Sequence, residues 1–261
     1  MAGVLGPVGG CAVSPPLFWA DSVPAPGADL TLSGPEGRHA VTVARLGVGE
    51  RILVGDGAGS VAGCEIREIL AKDTLVAAVH DLSFEARPTP QVTLVQALPK
   101  SERSELAVDL ATEAGVDVIV PWQALRCVSR WTGKADKGVG KWRAAASAAA
   151  KQSRRPWIPE VTDLATTIDV RARCADVVTR GGVVAVLHEE AAQPLARLPL
   201  ADAAEIVLVV GPEGGLDGGE IADLTALGAQ SVVLGPEVLR TSTAAAVALG
   251  AIGVLTRRWT R

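Results

Sequence analysis

The sequence predicts an α/β protein with a β-rich N-terminal part, and three observations predict it. Before Arg87, short β-rich runs alternate with glycine turns and no long helical periodicity occurs. Two prolines then fall within Arg87-Pro88-Thr89-Pro90, where each discourages both helix and central strand. Beyond them, apolar runs alternate with helical stretches, which is typical of a largely parallel sheet flanked by helices. We therefore predict two domains, residues 1–88 and 89–261.

The composition is that of a folded protein with an ample core, because 48% of the 261 residues are hydrophobic and 21% are charged. No Lys or Arg precedes the first apolar run, so the charged start of a secretory signal is missing. The uncharged apolar stretch at residues 241–256 is shorter than the roughly 20 apolar residues that span a bilayer. We expect a cytoplasmic protein with no membrane partner.

The residues that commonly bind metals are scattered along the chain. No two cysteines form a CxxC pair, and no histidine has a neighbour at a ligand spacing. We expect reduced thiols and no metal site. The cysteines and histidines are Cys11, Cys64, Cys127, Cys174, His39, His80 and His188.

In the N-terminal part, runs at residues 51–54, 63–69 and 74–79 predict strands of a small barrel or sandwich. A short helix that opens near Pro35 is expected to interrupt them and to carry Arg38, His39, Val43 and Arg45. Residues 57–62 fit a GxGxxA dinucleotide fingerprint formally. A β-rich segment follows them instead of a helix, so we interpret them as a hairpin turn.

In the C-terminal part, the pattern predicts strands at 92–97, 116–120, 183–187, 206–210 and 231–234. It predicts helices at 102–114, 141–153, 168–178 and 220–227. Ligands of parallel sheets bind at the carboxyl ends of the strands. The loops after Leu187, Val210 and Leu234 are therefore the places where chemistry is expected.

The loop Gly211-Pro212-Glu213-Gly214-Gly215 follows a strand and precedes a helix. Its glycines allow the backbone to approach a ligand closely, although any strand-to-helix turn can use glycine for geometry alone. Asp217 and Glu220 have the spacing of an N-cap and its partner in a capping box.

The loop from Gly235 to Ala244 leads into an almost wholly apolar stretch that we expect to form a helix buried on every side. Thr241 or Ser242 is the expected N-cap. Arg240, beside so apolar a helix, is expected to have a carboxylate or an anionic ligand as partner. A third polar loop, His188-Glu189-Glu190, follows the strand at 183–187.

The net charge of -4 hides a basic segment between Trp122 and Trp157, which has nine basic residues and one acidic residue. Four of the six tryptophans lie in or at the ends of this segment: Trp122, Trp131, Trp142 and Trp157. Cations that neutralise phosphates beside indoles that stack on bases would hold single-stranded RNA. A solvated helix face with tryptophans turned to the core explains the segment equally well.

Taken together, these motifs resemble the SPOUT methyltransferases, and within them the RsmE family of 16S rRNA uridine-N3 methyltransferases. Two positions depart from the family pattern: Ser242 replaces an acidic residue, and Leu216 replaces a frequent aromatic residue. The landmarks are Arg38-His39, Arg45-Leu46, residues 97–100, 112–116 and 151–154, Val210 to Gly215, and Leu239-Arg240-Thr241.

The resemblance implies a PUA-like β-barrel that binds RNA, followed by a SPOUT α/β domain with a C-terminal trefoil knot. It implies S-adenosyl-L-methionine as cofactor, 16S rRNA or the 30S subunit as partner, and a homodimer whose sites share residues. Arg154 is expected to contact the uracil or a phosphate, and Glu213 is either the base or only a holder of loop amides.

The resemblance also assigns two groups of binding residues. The expected cofactor-binding residues are Leu187, His188, Glu189, Gly211, Pro212, Gly214, Gly215, Leu234, Gly235, Val238, Leu239, Arg240, Thr241 and Ala244. The expected RNA-binding residues are Arg38, His39, Arg45, Lys100, Arg126, Arg130, Lys151 and Arg155.

Three rival interpretations stay open. The chain could bind RNA without catalysis, or methylate a different nucleotide as another SPOUT enzyme. It could also be a doubly wound nucleotide-binding oxidoreductase, although a phosphate-binding fingerprint is missing.

Overall fold

The computed structural model describes residues 15–100 and 103–259, and the chain divides into two compact units after Glu85. In the N-terminal unit, five strands form one sheet in the order β1-β3-β4-β5-β2. β1 pairs with β3 in parallel, and the other pairs are antiparallel. The strands are β1 (Leu17–Trp19), β2 (Asp29–Leu32), β3 (Arg51–Gly55), β4 (Ser60–Ala71) and β5 (Thr74–Phe84).

The sheet of the N-terminal unit buries one face, because alternate residues of its strands point to the same side. Phe18, Ile52, Ile66 and Leu75 are almost fully buried in its core. The three predicted strands are confirmed, although β4 and β5 are longer than predicted. The expected hairpin turn is also confirmed, since residues 56–59 join the antiparallel strands β3 and β4.

The predicted short helix is confirmed as α1 (Gly34–Arg38), which continues as one π-helical turn, His39–Val43. Pro35 occupies the first turn, where its missing N–H costs no hydrogen bond. Arg45 follows the helical turn with a left-handed backbone, at φ 57°.

In the C-terminal unit, six strands form a wholly parallel sheet in the order β11-β9-β10-β6-β7-β8. The predicted parallel sheet is confirmed. The strands are β6 (Gln91–Ala97), β7 (Val118–Trp122), β8 (Glu160–Val161), β9 (Val183–Leu187), β10 (Glu205–Val210) and β11 (Gln230–Val232).

The helices of this unit pack in two groups. α2 contacts α3 and α6, and α4 contacts α5. Each predicted helix is present, but α3 begins six residues earlier than the predicted helix at 141–153. The helices are α2 (Ser104–Glu113), α3 (Ala135–Gln152), α4 (Thr167–Thr179), α5 (Gly218–Ala226) and α6 (Thr241–Leu255).

Two expectations for α6 were wrong. The N-cap is Arg240, whose side chain makes no capping hydrogen bond, because the helix already includes Thr241 and Ser242. The helix is also not buried on every side. Ala245 and Ile252 are fully buried, whereas Val254 is 75% exposed. An apolar run predicts a helix but does not specify which of its faces is covered.

Two of the four tryptophans of the basic segment lie in the core, as the second interpretation expects. Trp122 and Trp142 are fully buried, and their indole nitrogens donate to Thr167 Oγ1 at 3.3 Å and Ser104 Oγ at 2.8 Å. These two rings therefore belong to the core and cannot stack on bases. Trp131 is partly buried, with its ring edge-on to Trp142 at 5.3 Å.

The described residues contain neither a membrane-spanning helix nor a metal-binding cluster. No helix among the described residues is long and apolar enough to cross a membrane. Within residues 15–100 and 103–259, no group of three or more His, Cys, Asp or Glu side chains could hold a metal ion. Cys11 lies outside the described residues, and Cys64, Cys127 and Cys174 are buried free thiols.

Candidate functional site

Three loops meet at the carboxyl edge of the parallel sheet. β9, β10 and β11 are hydrogen-bonded neighbours, and the chain leaves them at Leu187, Val210 and Val232. The loops surround a cavity of about 660 Å³. This volume is within the range of pockets that hold a small molecule or cofactor.

The cavity gathers most of the residues that the sequence assigned to a cofactor. Gly235 lies in the third loop but does not line the cavity. The predicted residues that line it are Leu187, His188, Glu189, Gly211, Pro212, Gly214, Gly215, Leu234, Val238, Leu239, Arg240, Thr241 and Ala244.

The glycine-rich loop after β10 is shaped by a buried side chain beneath it. A Cβ at Gly211 would lie 2.9 Å from Cγ of Leu216, which is 4% exposed, so only glycine fits there. Gly215 donates to the Pro212 carbonyl at 2.9 Å and has φ 70°, a conformation that favours glycine. The loop therefore presents mainly backbone to the cavity.

The predicted capping box at the start of α5 is confirmed, and it also holds a second loop. The Asp217 carboxylate accepts from Gly219 N at 2.9 Å, and Glu220 Oε2 accepts from Asp217 N at 3.2 Å. Glu220 Oε1 accepts from Leu125 N at 2.9 Å, and Glu220 is only 7% exposed. The loop between β7 and α3, residues 123–134, is thereby fixed to the base of the glycine-rich loop.

Three arginines bring positive charge to the cavity: Arg103, Arg126 and Arg240. Arg126, expected to bind RNA, lines it and donates to Asp217 Oδ2 at 3.1 Å. Arg103 also lines it and was not predicted. Its position three residues after the landmark at residues 97–100, and just before α2, could have indicated this location.

Glu213 is exposed and lines the cavity. Its Oε1 accepts a hydrogen bond from Lys100 N at 3.0 Å. Among the described residues, Oε2 has no hydrogen-bond partner. The carboxylate thus holds the backbone at Lys100 while one of its oxygens is available to a ligand.

Arg240 is exposed at the N-terminal end of α6 and lines the cavity. No carboxylate lies within 4 Å of its guanidinium in the part of the chain that the structure describes. Of the two partners expected for Arg240, an anionic ligand is therefore the one that fits the geometry.

Arg155 does not face solvent as an RNA-binding residue would, and this expectation was wrong. Its guanidinium donates to the carbonyls of Thr112 at 2.7 Å and Val116 at 2.8 Å, and lies 3.8 Å from Asp117. The side chain is 14% exposed. Arg155 completes the C-terminal end of α2, where carbonyls lack helical partners.

The neighbouring Arg154 is exposed, with φ 54°, at the end of α3. The contacts of Arg155 place this helix end beside the start of β7, at the amino edge of the sheet. β6 has seven residues at about 3.3 Å each, so the two edges are about 20 Å apart. Within one chain, Arg154 and Lys151 therefore lie away from the cavity.

The remaining predicted RNA-binding residues are exposed on two surfaces. Arg38, His39 and Arg45 lie on the helical segment of the N-terminal unit. Lys100 and Arg130 line a smaller cleft of the C-terminal unit.

Comparison with known protein families gives two matches. Residues 86–253 match the RNA methyltransferase domain, and residues 32–79 match the RNA methyltransferase PUA domain.

Relatives with similar sequences carry one name. The chain is 50% identical to the ribosomal RNA small subunit methyltransferase E of Mycobacterium bovis, over 93% of each chain. It is 31% identical to that of Bacillus subtilis, over 87% of this chain and 90% of the relative. A crystal structure of the Neisseria gonorrhoeae protein of the same name, bound to S-adenosyl methionine, superposes with a TM-score of 0.82 at 26% identity. The match covers 93% of this chain and 98% of that one.

Proposed function

The chain belongs to the ribosomal RNA small subunit methyltransferase E family of S-adenosylmethionine-dependent RNA methyltransferases, and we propose how its residues methylate N3 of a uridine in 16S rRNA. The observation that carries the proposal is the cavity at the carboxyl edge of the sheet. It joins three loops, one of which is the glycine-rich loop after β10.

The cavity suits S-adenosylmethionine in size and in charge. The donor carries a sulfonium, an ammonium and a carboxylate, and it supplies an already activated methyl group when bound. Carboxylates and guanidiniums both line the cavity, as Glu189, Glu213, Arg126 and Arg240 illustrate. Backbone groups of the glycine-rich loop supply the hydrogen-bonding edges that fix a bent ligand, and exact placement of the methyl group is a large part of such catalysis.

We assign Glu213 as the base that accepts the proton of uracil N3. This nitrogen is a poor nucleophile while it is protonated. A carboxylate within hydrogen-bonding reach can accept its proton and so activate it. Glu213 lines the cavity together with Arg103 and Arg126. Cations there stabilise the negative charge that develops on the uracil oxygens.

Arg154 contributes from a second copy of the chain in this proposal. Its place at the amino edge excludes contact with the cavity of its own chain, so a role with the substrate needs a homodimer. α6 supports such an assembly, since its apolar side chains Val247, Val254 and Leu255 are 48%, 75% and 40% exposed. Apolar surface of this kind is typical of a protein interface.

The N-terminal unit is assigned to holding the rRNA, with Arg38, His39 and Arg45 as its contacts. Three cationic or titratable side chains on one short segment can neutralise phosphates without reading sequence. We further propose residues 1–88 and 89–261 as the two functional domains. We also propose a trefoil knot in the chain between β9 and α6, on the strength of the family resemblance.

The decisive experiment incubates the protein and labelled S-adenosylmethionine with 30S subunits from a strain that lacks the activity, followed by nucleoside analysis. N3-methyluridine is the expected product. Binding of the subunit without transfer would make the chain an RNA-binding protein that has lost catalysis. A different methylated nucleoside would show that the enzyme modifies another position than uridine N3. A thermal shift with NAD and none with S-adenosylmethionine would reject the whole assignment.

A further inference from the structure

A second cavity of the C-terminal unit, which we call the basic cleft, has a volume of about 430 Å³ and lies next to the loop at Lys100. Its lining includes Lys100, Arg130 and Lys141, with Glu105 as its one carboxylate among the described residues. None of the sequence motifs assigned a cavity to this place. The excess of cations indicates an anionic occupant.

The basic cleft lies beside the cavity at the carboxyl edge, because one hydrogen bond joins a residue of each. Lys100 lines the basic cleft, Glu213 lines the larger cavity, and the amide of Lys100 donates to the carboxylate of Glu213 at 3.0 Å. A ligand that continues from the larger cavity past Glu213 therefore enters the basic cleft. RNA is such a ligand, because successive nucleotides are joined by anionic phosphodiesters.

The floor of the basic cleft is rigid. The indole of Trp131 lies against α3 where a Cβ at Gly138 would come within 2.5 Å of the ring, and it meets Trp142 edge-on. Ser104, at the start of α2, is only 8% exposed. Its Oγ accepts from Trp142 Nε1 at 2.8 Å, while its own hydroxyl hydrogen has no acceptor among the described residues.

The donors in the basic cleft match the chemistry of a phosphate. The Ser104 hydroxyl is a nearly buried donor that a phosphate oxygen would satisfy. The first turn of α2 adds N–H groups that have no partner within the helix, and the positive end of a helix dipole. The side chain of Lys141 is 61% exposed, and its ammonium lies 3.6 Å from Glu105, so it can reorient towards a phosphate.

From these contacts we propose that the basic cleft binds a phosphodiester of the substrate RNA next to the methylated nucleotide. The proposal rests on the proposed function, since it takes the larger cavity as the place of methyl transfer. It assigns Lys100 and Lys141 to the phosphate charge and Ser104 to one phosphate oxygen. Trp131 acts as the wall that keeps these groups in place.

The test uses the double variant Lys100→Ala/Lys141→Ala, which preserves the backbone amide that holds Glu213. Because a phosphate contact with an ammonium is a charge-assisted hydrogen bond, losing two of them should raise KM for 30S subunits by about tenfold or more. Filter binding between 50 and 200 mM KCl should show a salt slope that is shallower by about 1.4, or roughly 0.7 per lost cation. Affinity for S-adenosylmethionine without RNA should be unchanged.

Two controls separate the basic cleft from general surface charge. Lys100→Arg/Lys141→Arg retains both cations and should keep the wild-type salt slope. Arg197→Ala removes an exposed cation that lines neither cavity, and it should leave KM and slope unchanged.

The proposal is overturned if the alanine double variant keeps the wild-type KM and salt slope, or if Arg197→Ala lowers affinity equally. Failure of the proposed function looks different. The wild type would then bind 30S subunits without methylating them, and the comparison of salt slopes would still decide whether the basic cleft contacts RNA.

Discussion

Glu213 holds the backbone at Lys100 and is also the proposed base, and substitutions can separate these two roles. Glutamine retains an oxygen that accepts from Lys100 N, so Glu213→Gln keeps the loop in place but loses the ionised carboxylate. If the carboxylate takes the proton from N3, kcat should fall by about 10²–10⁴-fold, the usual contribution of a general base. The dissociation constant of S-adenosylmethionine should hardly change.

Glu213→Ala is the matched variant. It loses the carboxylate and also the acceptor for Lys100 N, so it should weaken donor binding as well. Methyl transfer is measured by single-turnover kinetics at saturating donor, and donor binding by calorimetry. A near-normal kcat in Glu213→Gln would leave Glu213 with the structural role alone.

Buried thiols give a prediction about pH. Burial raises the pKa of Cys64 and of Cys174 from 9.0 to about 11. Between these two pH values the unfolded chain ionises its thiols while the folded chain keeps them protonated. Stability from these groups is therefore fully present below pH 9 and is lost as the pH rises towards 11.

The urea midpoint should accordingly fall between pH 8.5 and 10.5, and Cys174→Ala should flatten this dependence. At pH 8.5, alkylation mapped by mass spectrometry should modify Cys64 and Cys174 only after urea is added. Rapid labelling of either thiol in the native protein would contradict the burial on which the prediction depends.

Individual side chains were predictable where local spacing determines their role. The capping box of Asp217 and Glu220 follows from a three-residue spacing and is present. Arg155 failed for a physical reason. A helix between parallel strands runs back along the sheet, so residues at its C-terminal end lie at the amino edge, where Arg155 meets the carbonyls of α2. Charge alone did not reveal that position.

At the scale of elements, Glu220 couples α5 to the loop at residues 123–134. Glu220→Ala leaves the amides of Leu125 and Asp217 without their acceptor, which should cost about 2–4 kcal/mol of unfolding free energy. Because Arg126 lies on the released loop, KM for 30S subunits should rise more than the dissociation constant of the donor.

Asp169→Ala is the control for this coupling. Asp169 forms the same capping box at the start of α4, and among the described residues its side chain bonds only to Thr166. Its loss should lower the free energy of unfolding by about 1 kcal/mol and leave KM for 30S subunits unchanged. Urea unfolding and steady-state kinetics, measured well below the melting temperature, distinguish the two variants. Equal effects of Glu220→Ala and Asp169→Ala on KM would contradict the proposed coupling.

The elements themselves were largely predictable, whereas their arrangement was not. Apolar runs bounded by glycines specify β9 and β10 almost to the residue. The sheet order places β9 between β11 and β10, a contact among distant segments that no local period encodes. The candidate site was nevertheless predicted, because carboxyl ends of parallel strands share one edge whatever their order.

At the scale of the whole molecule, Arg154 lies at the amino edge of the sheet, about 20 Å along the strands from the edge that carries the cavity, so its proposed role needs a second copy of the chain. In a symmetric dimer, the same patch meets itself, so residue Arg154 of each copy can approach the cavity of the other. Arg154→Ala and Glu213→Gln would then each inactivate the protein when alone. A heterodimer of the two variants would contain one site with both residues intact.

Co-expression of Arg154→Ala and Glu213→Gln chains with different tags should therefore restore methyl transfer. Random assortment makes half of the dimers mixed, each with one intact site of two, so about a quarter of wild-type activity is expected. Mixing Arg154→Ala with the double variant Arg154→Ala/Glu213→Gln gives no intact site and should stay inactive. If purified mixed dimers were also inactive, Arg154 could not act across the interface. Since its own cavity is on the opposite edge of the sheet, it would then have no place in the reaction.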